Sequence, residues 1–232
     1  MGHKRARIKK HDEPRLDDIL EEEIKKKGFS LDFLNDFQKS IWHKIEKNDI
    51  VFLIGSAGTG KSFLAAAYAI HSLLEKKTSK IVVSRPIVEA GEKLGYLPGT
   101  FQEKVHPYML PLYDALDDIC GTESNNRALV DKNLEVAPIA YLRGRTMKNA
   151  TCILDEAQNC TYTQLKLFLT RIGMGSKMIV TGDPKQSDLG NSRIAMLEIV
   201  DKIKNVSNIG VINISDEHIV RHPIISELTS RI

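Results

Sequence analysis

The sequence predicts an α/β protein: a mostly parallel sheet flanked by crossover helices. Three observations carry this. Short apolar runs at 50–54, 80–84, 151–154, 177–181 and 210–214 have the length and β-branched content of buried strands. Stretches of helical composition stand between them, and strand–helix alternation is the pattern of parallel strands joined by crossovers. A glycine-rich turn separates the first strand from a run rich in helix formers at 63–70, giving a strand–loop–helix unit.

The elements follow in order. Residues 16–28 read as a helix, with Asp17 and Asp18 leading, Lys25 to Lys27 closing and Gly28 ending it. A second helix is expected over 32–47. The strand at 80–84 is stopped by Pro86. Residues 86–111, rich in Gly and Pro, read as an extended loop region with a short helix, and 113–119 as a helix. The polar stretch 121–133 reads as a surface excursion. Residues 134–142 contain Val136-Ala137-Pro138, a short or edge strand. Helices are expected over 162–171 and 193–202. There is no internal repeat.

The chain has 232 residues, enough for one domain of ordinary size with a short appended arm. The expected division is a basic arm and helix over 1–30 and a single domain over 31–232. Hydrophobic residues make up 42%, sufficient for a core, yet no apolar stretch reaches the length of a membrane span and no signal-peptide pattern opens the chain. A net charge of +3 neither demands nor excludes nucleic acid. The opening His3, Lys4, Arg5, Arg7, Lys9 and Lys10 form a basic tail, readable as a solvated terminus or as a nucleic-acid-binding arm. Cys120, Cys152 and Cys160 are odd in number and lack metal-ligand spacing, so reduced thiols and a cytoplasmic location are expected. Cys152 sits in an apolar run and reads as core.

The glycine-rich turn is Gly55-Ser56-Ala57-Gly58-Thr59-Gly60-Lys61-Ser62, a complete phosphate-binding loop followed by Phe63. Such a loop wraps backbone N–H groups around phosphates at the positive end of a helix dipole. Its glycines let the backbone approach closely. The expected ligand is a nucleoside triphosphate with Mg²⁺: Lys61 reaches the terminal phosphates and the Ser62 hydroxyl ligates the metal.

A second motif says what happens to the phosphate. Asp155-Glu156-Ala157-Gln158 follows a buried strand, at the carboxyl edge where α/β sheets bind ligands. Asp155 is placed to hold Mg²⁺, and Glu156 to orient an attacking water. A water-activating Glu favours hydrolysis over transfer to a hydroxyl. The next strand ends on Gly182-Asp183-Pro184-Lys185-Gln186, where Gln186 can sense the γ-phosphate and the same residues also suit a β-turn. Arg221, in Ile219-Val220-Arg221-His222-Pro223, is the candidate transition-state cation, its alternative being a surface Arg at a helix entry.

With these residues in place, the chain resembles the PhoH-like family of P-loop ATPases, related to superfamily 1 helicases, from about Leu34 to Pro223. Leu34-Asn35-Asp36-Phe37-Gln38 is similar to the helicase adenine-recognition motif, which implies that Gln38 reads the adenine edge. The phosphate loop, residues 155–159 and residues 182–186 resemble helicase motifs I, II and III, and Val220-Arg221-His222-Pro223 the family's arginine motif. Residues 85–99 (RPIVEAGEKLGYLPG), 111–116 (PLYDAL) and 143–146 (RGRT) look like signatures of the family itself. The resemblance implies a RecA-like domain, ATP and Mg²⁺ as ligands, a homo-hexameric ring, and RNA or single-stranded DNA as the moving substrate. Longer relatives carry an RNA-cleaving PIN domain; the residues before Gln38 are too few for one, so no nuclease activity is expected. Helicases of this superfamily close ATP between two such domains. Here one domain uses the whole length, and the simpler geometry has Arg221 serving a neighbour's ATP.

Support for nucleic acid from the residues themselves is Arg85, Lys93, Arg143, Arg145 and Lys148 on expected loops, with Tyr96 and Tyr141 nearby for stacking. The other reading packs these loops at subunit contacts, with Arg85 and Arg145 in interface ion pairs. The leading function is an ATP hydrolase that remodels or translocates on RNA or single-stranded DNA. An ATP-driven oligomeric switch acting on a protein partner is the second, ahead of a nucleotide-binding scaffold and a small-molecule kinase.

Overall fold

The structure is a computed structural model. It describes residues 36–86, 125–188 and 194–215, together with positions 110, 113–115, 117–120 and 217. The basic tail, the helix expected over 16–28, Lys93, Tyr96 and Arg221 lie outside the described residues.

Six strands form one sheet. They are β1 (Ile50–Gly55), β2 (Lys80–Ser84), β3 (Leu134–Val136), β4 (Ala150–Leu154), β5 (Lys177–Gly182) and β6 (Ile209–Ile214). Their spatial order is β3-β2-β4-β5-β1-β6, and every neighbouring pair is parallel. The fold class expected from strand–helix alternation is the one observed.

Both faces of the sheet are covered, which is why its strands read as near-continuous apolar runs. On one face Phe52, Val82, Cys152, Leu154, Met178 and Val180 join a core cluster. Leu165 and Phe168 meet it from helix α4 (Tyr162–Leu169), and Met196 and Ile199 from helix α5 (Ala195–Ile203). The opposite face packs on helix α2 (Lys61–Leu74), which touches β1, β2, β4 and β5 and is buried along most of its length, from Leu64 to Ile70 without a break. Its alanines let the helix lie close to the strands. Helix α1 (Asp36–Lys47) buries Gln38, Ile41, Trp42 and Ile45 on one stripe at helical spacing. The Trp42 ring lies 5.1 Å from Tyr68 and 5.2 Å from His71, fastening α1 to α2.

One expectation needs correction. The stretch read as a polar surface excursion contains helix α3 (Asn125–Asn133), with Val130 fully buried. Arg127 forms an i,i+4 ion pair with Asp131 and also binds Asp117, so charged residues that read as loop cover a helix. The short or edge strand expected within 134–142 is both, three residues long and at the edge of the sheet. Beyond it the chain turns through a 3₁₀ segment at Ile139–Leu142, with Ile139 and Leu142 buried. Pro138, with no N–H to donate, stands where the ladder stops.

The cysteines are unbridged. Burial pushes the Cys152 and Cys160 thiols up to about 12, as suits packing residues and not reactive ones. Among the described residues, no helix is long and apolar enough to cross a membrane.

Helix α2 ends in an unusual way. The Lys77 N–H donates to Ser72 C=O (2.8 Å) and the Lys76 N–H to Leu73 C=O (3.0 Å), the paired bonds of a Schellman motif. The left-handed residue that this motif requires is Lys76, at φ 55°, where glycine is usual. Replacing Lys76 with Gly should therefore stabilise the protein by about 1 kcal/mol, the approximate cost of a left-handed L-residue. A urea melt of the variant, with its midpoint moved upward at unchanged slope, is the expected readout.

Candidate active site

The site forms at the carboxyl edge of the sheet, and the strand register builds it. Leu53 stands beside Thr181, Ile54 beside Gly182, Val180 beside Leu154, and Leu154 beside Ser84. The residues that follow each strand end are thus brought side by side: the phosphate loop after β1, Asp183 after β5, Asp155 and Glu156 after β4, and Arg85 after β2.

The loop between β1 and α2 turns through Gly58 at φ 82° and Gly60 at φ 77°, conformations that other residues adopt only with strain. Gly60 is the N-cap of α2 and makes no side-chain capping bond, so the first turn presents its backbone amides without a capping side chain. Thr59 Oγ1 donates to Ser56 C=O at 2.8 Å, and Lys61 Nζ donates to the same carbonyl at 2.7 Å, holding the ammonium across the loop. Gly55 also has a packing role. A Cβ there would lie 2.7 Å from the Ile214 carbonyl oxygen, so its missing side chain is what allows β6 to close on β1.

Asp155 is held from two sides. Ser62 Oγ donates to its Oδ1 at 2.8 Å, and Thr181 Oγ1 donates to the same oxygen. Asp183, nearly fully buried, works in the other direction. Its Oδ2 accepts the Ala57 N–H of the phosphate loop at 2.8 Å, and its Oδ1 accepts the Lys185 N–H at 3.0 Å. Gln158, also buried, accepts the Asp183 N–H at 3.0 Å and donates to Glu156 Oε2 at 2.5 Å. Arg85 Nη2 donates to Glu156 Oε1 at 3.3 Å. Glu156 itself takes a left-handed backbone, φ 56°, just before the short turn Ala157–Asn159. A strained non-glycine residue within an acidic pair marks a position that the surroundings over-determine.

These residues enclose a cavity of about 260 Å³. Ala57, Gly58, Gly60, Lys61, Ser62 and Phe63 form one wall; Asp155, Glu156, Gly182, Asp183 and Gln186 form the other. Of the expected ligand contacts, Ser56 and Thr59 do not line it and serve the loop's internal bonding. Gln38 is buried against the loop, its Nε2 3.9 Å from where a Cβ on Gly60 would stand. The donor set suits a Mg²⁺–phosphate ligand: a hydroxyl and a carboxylate oxygen in contact, with a cation and helix-end amides lining the same cavity. Arg145 is engaged within the chain. Its guanidinium binds Glu135 through two hydrogen bonds, of 2.5 and 2.8 Å, and this holds the Glu135 carboxyl below its usual range. Tyr141 is exposed.

Sequence reading assigned no role to Thr181, Asp183 or Gln158. The available signal was that three strand ends carry polar residues, which a parallel sheet must gather at one edge.

A phosphate loop facing a serine-bound aspartate at the carboxyl edge of an all-parallel sheet defines a P-loop nucleotide-binding fold. The crystallised large terminase of a thermophilic bacteriophage shares it, at a TM-score of 0.53 with 15% identity, over 84% of this chain and 49% of that one. This chain belongs to the PhoH-like protein family, whose model matches residues 31–232. A PhoH-like protein of Bacillus subtilis is 44% identical over 223 residues, covering 95% of this chain and 70% of the relative. One from Mycobacterium bovis is 48% identical over 192 residues, covering 82% of this chain and 54% of the relative.

The buried Asp183 carboxylate satisfies backbone amides in two separate turns. Asp183→Ala should leave both unpaired and cost about 1–3 kcal/mol. Chemical denaturation is expected to show that loss, and titration with a fluorescent ATP analogue a weaker affinity as the loop loses its tether.

Proposed function

We propose that the protein hydrolyses ATP with Mg²⁺ and couples turnover to remodelling of, or translocation on, RNA or single-stranded DNA. The observation that carries hydrolysis is Glu156, one residue beyond the serine-bound Asp155, lining the same cavity as the phosphate loop. A carboxylate there can accept a hydrogen bond from water and aim its oxygen at the γ-phosphorus.

The residues divide the work. The loop amides and Lys61 hold the phosphates, and Gln38 selects adenine. Ser62 and Asp155 are the residues that would hold Mg²⁺, which when bound neutralises charge building on the phosphoryl oxygens. Thr181 fixes the Asp155 carboxylate from behind. Glu156 orients water as the new bond to phosphorus forms and the bond to the β-phosphate oxygen breaks. Gln186, at the cavity wall, responds to the γ-phosphate. Arg221 completes the charge from a neighbouring subunit of a homo-hexameric ring. Membership of the family and the likeness of residues 155–159 and 182–186 to helicase motifs support nucleic acid as the partner, and so does the exposed Tyr141 near Arg143 and Lys148 in sequence.

Steady-state ATP hydrolysis measured with and without single-stranded RNA tests this. Turnover should rise with RNA, and Glu156→Gln should lower it by about 10²-fold or more. Turnover indifferent to both RNA and single-stranded DNA would leave the hydrolytic site standing and point to a protein-directed switch.

Action of Arg221 in trans has its own test. Rings assembled from Arg221→Ala and Glu156→Gln chains together should recover part of the activity that each lacks alone. No recovery in rings shown to be mixed would count against it.

A further inference from the structure

A second cavity, of about 580 Å³, lies beside the nucleotide site. Glu156 and Gln186 line both. The other walls are polar: Arg85 and Lys185 bring positive charge, and Asn159 and Asp188 stand with them. Asp188 is already tied, since Asn159 Nδ2 donates to its Oδ2 at 2.9 Å and its N–H donates to Asn159 Oδ1 at 2.8 Å.

Glu156 is held toward this second cavity by both carboxylate oxygens. Arg85 donates to Oε1 and Gln158 to Oε2. Gln158 is anchored, being buried and bonded through its own oxygen to the Asp183 N–H. Arg85 is the more accessible of the two donors, with its side chain 23% exposed. The backbone at Glu156 is fixed in a left-handed turn, so the carboxylate changes partners by side-chain rotation alone. Orienting water in the nucleotide cavity requires a carboxylate oxygen aimed at that cavity, whereas the bonds from Arg85 and Gln158, both of which line the second cavity, engage each oxygen from the other side. The same residue therefore serves two cavities in competition.

We propose that the second cavity receives a backbone phosphodiester of single-stranded nucleic acid, whose arrival draws Arg85 from Glu156 and frees that carboxylate to orient water. This rests on the nucleic-acid-coupled reading above. A guanidinium binds phosphate oxygens through the same fork that it offers a carboxylate, so one anion replaces another without leaving Arg85 unpaired. Lys185 supplies a second cation on the same wall, and the polar lining offers no apolar pocket to anchor a peptide side chain. Arg85 is thus a positioning residue that restrains turnover until ligand arrives, and the cavity is the place where the strand is sensed.

The test compares ATP turnover of the full chain, Arg85→Ala, Arg85→Lys and Lys185→Ala, each titrated with single-stranded RNA and DNA oligonucleotides, with affinity for a fluorescent ATP analogue as the check on folding. Arg85→Ala should raise basal turnover about 2–5-fold, as release of one partly exposed ion pair allows, and lose further stimulation by oligonucleotide. Arg85→Lys should lie between, a point charge without the fork. Lys185→Ala should need several-fold more oligonucleotide to reach half of its own maximal stimulation, with a log–log salt slope of binding reduced by about 1. Basal turnover at or below that of the full chain in an Arg85→Ala protein that still binds nucleotide would overturn the restraint. An unchanged oligonucleotide requirement in Lys185→Ala would remove the cavity as the site. If neither RNA nor DNA stimulates the full chain, the coupled reading fails and the proposed occupant with it; a raised basal rate in Arg85→Ala would then still identify the restraint and point to an acidic protein segment as its release.

Discussion

The site depends on the position of β5 between β1 and β4. Were the phosphate-loop strand and the acidic strand adjacent, nothing would stand between the loop and Asp155. Instead the intervening strand contributes Thr181 to one neighbour and Asp183 to the other. The Asp183–Ala57 bond joins residues 126 apart in sequence, and the Ser62–Asp155 bond residues 93 apart. Each is a charge-assisted bond in a partly buried setting, where such bonds are stronger than neutral ones. The loop, the Ser62–Asp155 pair and Glu156 are consequently one hydrogen-bonded unit spanning three strands and not three independent motifs.

Close packing serves the same end. Gly55 permits contact with Ile214, and Gly182 sits where a Cβ would be 2.7 Å from Met196 Sδ and 3.2 Å from Gln158 Oε1. The second contact matters because Gln158 links Asp183 to Glu156. A methyl group at Gly182 would press on the joint between the loop's tether and the Glu156 carboxylate. Glycine there is a packing requirement expressed in the active site.

Much of this was legible in the sequence because the informative signals are local. The phosphate loop is contiguous, and strand lengths and β-branched content are contiguous. Helix α3 was missed because its stripe is short and its surface charged, and only tertiary burial of Val130 reveals it. The pairing of Arg85 with Glu156 and of Arg145 with Glu135 was also out of reach. A basic residue in a predicted loop has many possible partners, and strand order, which no local pattern encodes, decides among them. The part of the site that lies outside the described residues, Arg221 above all, rests on motif likeness alone.

The strand order also bears on how the chain is made. β1 is synthesised first among the six strands, yet both of its partners come late: β5 begins at Lys177 and β6 at Ile209. A nascent chain emerging from the ribosome has an apolar first strand with no ladder to join until most of the domain has been translated. Pairings this distant in sequence slow folding and prolong the exposure of sticky segments. The phosphate loop, which follows the first of these strands, is for that reason left without its Asp183 tether until β5 has been made.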